Sequence, residues 1–180
     1  MNIGELREAF EALVDDRVDN AMFIIWLNEA LEDLAMEYGP VKYTTYNAVA
    51  NIEYDLPPDH LRTIEIKDKN GQRYLRFEVS EWGKIRFLED GDYALYYHRV
   101  PTRLLVGDDS LKPDIHEVLH TPMYIYAAAK FFERESEGDP EESSHASKFM
   151  NQYSSMKYDR VQKLRNRAYK PARVRTATWR

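Results

Sequence analysis

The chain is predicted to adopt an α+β fold: a helical bundle of about four helices, an inserted antiparallel β-meander, and an extended basic C-terminal tail. Three observations carry that expectation. Apolar residues recur at helical spacing up to Tyr38. From Val41 to about Val106 the repeat shortens to two residues, and after Lys112-Pro113 helical spacing returns. The organisation expected is a helical hairpin over 1–40, a β insertion over 41–111, a second helical pair over 112–167 and an extended tail over 168–180.

Ile3, Leu6, Phe10, Leu13 and Val14 share one face of a helix over about residues 4–15, which Asp15-Asp16-Arg17 ends. Asp19 is placed to cap a second helix over about 20–38, with Ile24, Leu27, Leu31, Leu34 and Tyr38 on its apolar face. Gly39-Pro40 stops it. Two helices joined by so short a turn are expected to pack antiparallel against each other. In the β section, strands are expected at residues 51–56, 63–67, 74–79, 84–88 and 93–99, making four to six strands in all. Asn70-Gly71 and Asp90-Gly91 read as tight hairpins between them.

Asp114 and Glu117 have capping-box spacing, but Thr121-Pro122 interrupts the pattern. Either the helix kinks there, or Thr121 caps a new helix with Pro122 in its first turn. The segment from Met123 to Glu135 is apolar, with Ala127, Ala128 and Ala129 suited to close packing. After Gly138, Asp139-Pro140-Glu141-Glu142 opens a last helix with a cap, a proline in the first position and acids at the positive dipole end. Ala146, Phe149, Met150, Tyr153, Met156 and Leu164 form its stripe. Running to about Arg167 it spans about 40 Å, longer than the bundle requires, so its basic end is expected to project.

Charge is unevenly distributed. Eight of the 25 Lys and Arg lie in residues 160–180, where none of the 31 acids falls, which leaves 17 bases against 31 acids before Arg160. Such a segment repels itself and has too few apolar residues to fold alone, so it is expected to be ordered by a partner. The absence of cysteine excludes disulfides, thiol catalysis and sulfur-ligated zinc. No apolar run approaches the ~18 residues of a membrane span, and the N-terminus lacks the basic-then-apolar pattern of a signal peptide. The expectation is synthesis in a cytoplasm with no membrane partner. Thirteen tyrosines suit either a protein interface or a half-solvated aromatic sheet.

His116-Glu117-Val118-Leu119-His120 matches H-E-x-x-H, in which two histidines four apart on a helix hold Zn²⁺ and the glutamate acts as base. A zinc-dependent hydrolase is therefore one alternative. Pro122 argues against a helix running through both ligands, and Thr121 to Ala129 supplies no further Gly or His. His60 and His98 have no nucleophile motif beside them, and no phosphate-binding glycine loop is present. A DNA-binding accessory protein using the basic tail is the other alternative, although a chain of net charge −6 suits nucleic acid only at that tail.

Four stretches, in order and spacing, resemble head–tail connector (adaptor) proteins of tailed bacteriophages, of the tail tubular protein A or gatekeeper-like kind. They are Trp26 to Ala35 in the second helix, Tyr54 to Arg62 with its Leu-Pro-Pro-Asp turn, Asp92 to Pro101, and Thr121 to Ala129 before the long helix. The resemblance implies a structural virion protein without cofactor, metal or catalytic residues. It implies a ring of about twelve subunits, closed by heterologous contacts, at the portal vertex of the virion. There it extends the DNA channel, joins the capsid to the tail and takes part in assembly and DNA ejection. Partners implied are the portal protein, neighbouring adaptor subunits, a tail nozzle or stopper protein, and genomic DNA that passes through without sequence-specific binding. Portal docking would fall to Arg160, Lys163, Arg165, Arg167, Tyr169, Lys170, Arg173, Arg175, Trp179 and Arg180. An acidic body suits a DNA conduit, because a negative lumen repels the phosphate backbone.

Overall fold

A computed structural model describes residues 1–80, 82–136 and 140–168, with side chains as far as Asn166. The fold is α+β, with four α-helices and two three-stranded antiparallel sheets among the described residues. Helix α1 spans Ile3–Val14 and α2 Asn20–Tyr38. Six strands follow: β1 Val41–Ala48, β2 Glu53–Asp55, β3 His60–Asp68, β4 Phe77–Val79, β5 Lys84–Phe87 and β6 Gly91–Arg99. A short 3-10 turn at Glu117–Leu119 precedes α3, His120–Glu135, and α4, Pro140–Ala168.

Local chemistry explains the helix ends. Asn2 accepts from the Glu5 amide while the Glu5 carboxylate accepts from the Asn2 amide, a reciprocal cap at the start of α1. Asp15 closes α1 in the left-handed region at φ 53°, and Asp19 caps α2 through the Ala21 amide at 3.0 Å. Gly39 ends α2 for a different reason. A Cβ there would stand 2.9 Å from the Ala35 carbonyl of α2, so the backbone would have to shift, and 3.3 Å from the Arg99 carbonyl at the end of β6.

Helix α3 is the axis of the bundle. Its Met123, Ile125, Ala127, Ala128, Ala129 and Phe131 are all buried, so neighbours cover it on several sides. Helices α1, α2 and α4 each pack along it. Accordingly α1 and α2 do not form the self-contained hairpin expected from their short connection; they meet chiefly where Phe10 touches Phe23 and Trp26. Helix α3 begins at His120 with Pro122 in its first turn, where a missing N–H costs nothing. Thr121 lies inside that turn and makes no cap. Asp114 is not the cap expected of it either: it accepts from Arg99 at 2.6 Å and from the amide and hydroxyl of Thr102.

The β section is not a meander. One sheet has the order β1-β6-β3 and the other β2-β5-β4. They face each other across Phe87, which stacks on Tyr93 at 4.5 Å and touches Tyr46, over a core of Ile66, Ile85, Leu95 and Tyr97. Strand β1, which alternation did not single out, pairs with β6 along its whole length. Asn70-Gly71 does turn the chain, with Gly71 at φ 75° and Arg73 bridging back to Lys67. Asp90-Gly91 is not a hairpin, because β5 and β6 belong to different sheets and the chain crosses between them there. The Gly83 turn, at φ 69°, joins β4 to β5 instead.

Body and bundle are joined at the end of α2. His98 Nδ1–H donates to the Gly39 carbonyl at 2.6 Å, and the Arg99 amide donates to Pro40 at 2.9 Å. The loop after β6 is strapped to α2 by Asn28, whose side chain accepts from the Leu104 amide (2.8 Å) and donates to the Leu104 carbonyl (3.1 Å).

Candidate docking site

Helix α4 has 29 residues and so runs about 43 Å at ~1.5 Å per residue. Its basic end does not project. Val161 and Leu164 are only 3% and 4% exposed, buried with the bundle core. Polar contacts to α2 recur along the same face. Tyr153 donates its hydroxyl to Asp33, and Lys157 Nζ reaches both oxygens of Asp33 at 2.8 Å. One turn further along α2, Arg165 Nη2 meets Glu37 Oε2 at 2.6 Å and the Glu37 backbone carbonyl at 3.2 Å. Glu37 lies in the last turn of α2, where carbonyls lack helical partners and a cation is favoured. The end does not project because Asp33 and Glu37, four residues apart on α2, bind Lys157 and Arg165 along its length.

The ten residues assigned to docking divide accordingly. Arg160 lies against the body and donates to the Val118 carbonyl in the short 3-10 turn. Arg165 is bound to Glu37 as described. Lys163 is exposed and makes no hydrogen bond or ion pair among the described residues. The side chain of Arg167, together with Tyr169, Lys170, Arg173, Arg175, Trp179 and Arg180, lies outside the described residues, as does the expected cap Asp139. The geometry therefore brings Arg160 and Arg165 into the folded body and leaves Lys163 on the surface.

Two hollows flank Arg165. A groove of about 590 Å³ runs between α2 and α4, lined by Asp33, Glu37, Lys157, Tyr158 and Arg165 among others. Burial and the Asp33 carboxylate raise the Tyr153 hydroxyl well above its ordinary pKa, so it stays a donor. The second, of about 310 Å³, lies where the Arg165–Glu37 pair meets the outer face of the β1-β6-β3 sheet. Helical spacing places Tyr153 on the stripe of α4, but it does not single out Asp33, Glu37 or Lys157. Their signal was present as a four-residue repeat, Asp33 and Glu37 on one helix against Tyr153, Lys157 and Val161 on the other.

The H-E-x-x-H string does not form a zinc-ligating face. His116 lies outside the helix and caps the 3-10 turn, its Nδ1 accepting from the Val118 amide at 3.3 Å. His120 is 2% exposed, with both ring nitrogens engaged: the terminal ammonium of Met1 donates to Nδ1 at 2.8 Å, which leaves Nε2–H to donate to the Ile115 carbonyl at 3.3 Å. Among the described residues no group of three or more His, Cys, Asp or Glu is placed to hold a metal. No helix among them is long and apolar enough to cross a membrane. In comparisons with known proteins, the chain matches no family model and no curated relative.

Proposed function

We propose that the chain is a structural virion protein, a head–tail adaptor that forms a ring of about twelve subunits beneath the portal of a tailed phage and anchors there through its basic C-terminal segment. The observation that carries this reading is the separation of charge: residues 160–180 hold eight bases and no acid, while the preceding chain has an excess of acids. The fold supports the division of labour. A helix whose Leu164 is buried in the bundle core and whose Arg165 is held by Glu37 of α2 gives the residues that follow it a fixed point of departure. Lys163, Arg167, Lys170, Arg173, Arg175 and Arg180 then supply the charge, and Tyr169 and Trp179 the apolar anchors. An acidic portal surface would order such a segment through charge-assisted hydrogen bonds that offset its lost entropy. Arg160 and Arg165 serve the body rather than the partner. Neighbouring adaptor subunits and a tail nozzle or stopper protein complete the proposed assembly, with genomic DNA passing through the ring.

The test is a chain that stops at Ala168. A stop at Arg160 would remove the buried Val161 and Leu164 and so would confuse docking with folding. The shorter chain should keep its circular dichroism spectrum and melting temperature yet fail to co-sediment with portal rings from the same virus. Undiminished co-sedimentation would contradict the proposal. Tail-dependent binding to duplex DNA that weakens steeply with salt would favour the DNA-binding alternative instead.

A further inference from the structure

We propose that the hollow between the end of α2 and the outer face of the β1-β6-β3 sheet is a docking site for an acidic protein segment carrying an aliphatic or aromatic side chain. The site belongs to the folded body and stands independently of the portal reading and of residues 169–180.

Strand register creates the apolar floor. Val41 on β1 lies opposite His98 on β6, and His98 lies opposite Arg62 on β3, so all three share the face turned away from the sandwich core. Val41 is 59% exposed and Ile64 is 40% exposed. Tyr38 closes the bundle side, its ring 5.8 Å from that of His98. Along the same face Tyr43 stacks on Tyr96 at 5.7 Å and continues the apolar surface. The hollow, about 310 Å³, has room for one large side chain.

Charge selects the occupant. Arg62 makes no hydrogen bond or ion pair among the described residues, and Arg165 shares its guanidinium with only one carboxylate, Glu37. The lining therefore has two fixed cations and one anion, in a chain whose net charge is −6. His98 records the local field: burial lowers its pKa first, and Arg62 and Arg165 lower it further, against the Gly39 carbonyl. A discrete carboxylate beside Arg62 balances that field while its neighbouring side chain covers Val41 and Ile64. A continuous phosphate backbone fits less well, because Glu37 borders the hollow and Glu65 stands on the same sheet face opposite Tyr96.

The experiment titrates the ¹⁵N-labelled full chain with a capped Glu-Asp-Phe-Asp-Glu pentapeptide, with its Lys-for-acid counterpart and with a single-stranded oligonucleotide. The acidic peptide should move the amide signals of Val41, Ile64 and His98 and raise the His98 pKa, since a carboxylate then faces the imidazole. Arg62→Glu and Ile64→Asp, both at exposed positions, should each weaken binding by about tenfold or more without changing the fold. No binding at millimolar peptide, shifts elsewhere on the surface, unchanged affinity in Arg62→Glu, or preference for the oligonucleotide or the basic peptide would each overturn the proposal.

Discussion

Replacing Leu164 by alanine separates a clamped α4 from a projecting one. Leu164 is 4% exposed and belongs to the same core cluster as Leu34, Leu119 and Val161. Truncating a buried leucine removes its transfer energy and leaves a cavity, together about 2–5 kcal/mol. The position lies near the end of the helix, where the last turn can settle inward, so the lower half of that range applies, about 2–3 kcal/mol. An exposed leucine on a projecting helix would cost no more than about 0.5 kcal/mol. Urea denaturation followed by circular dichroism measures the difference from the midpoint and slope. The neighbouring ion pair sets an internal scale. Arg165 and Glu37 are 38% and 42% exposed, so a double-mutant cycle between Arg165→Gln and Glu37→Gln should give a coupling of only about 0.2–1 kcal/mol, smaller at high salt. A Leu164→Ala loss below about 0.5 kcal/mol would refute the reasoning that the helix end is built into the core.

Gly39→Ala should destabilise the junction by about 1–3 kcal/mol, because its Cβ would stand 2.9 Å from one backbone carbonyl and 3.3 Å from another; thermal melts of both forms check this. Asn28→Ala should cost about 1–3 kcal/mol by leaving both backbone groups of Leu104 without their partner, and the Leu104 amide should lose protection in hydrogen exchange. His60, His98 and His120 all have pKa values lowered from the ordinary 6.5, with burial the largest cause in each. The unfolded chain therefore binds protons first as pH falls, so stability is full above about pH 6.5 and declines as pH drops toward the lowered values. Urea midpoints at successive pH values should show that decline, and His98→Gln should flatten it.

The helices were legible because local signals and packing agree. Asp19 and Gly39 bracket α2, and the apolar face of Leu27, Leu31 and Leu34 is the face the core uses. Five of the six described strands were legible from alternation, but β1 and the strand order were not. Strand β6 pairs with β1, about fifty residues earlier in the chain, through a register that local spacing does not encode. Asp90-Gly91 looked like a hairpin because its dipeptide is a strong local signal, yet the chain uses it to change sheets. Gly83 was overlooked because the Trp82-Gly83 pair is not a common turn signature, although Gly83 holds the positive φ the turn requires. H-E-x-x-H illustrates the opposite failure. Its spacing is right only if both histidines lie on one helix, and α3 starts at the second of them. The candidate site was legible as a basic segment, but the division between Arg165, held by Glu37, and the residues beyond it needed the neighbouring helix.

Electron microscopy of the full chain mixed with a tailed-phage portal ring tests the anchoring proposal most directly. Ordered density for residues 169–180 lying against a neighbouring molecule, with α4 still seated on α2, is the expected result. Density showing Lys170, Arg173, Arg175 and Arg180 folded back onto their own subunit, in contact with no other chain, would contradict it.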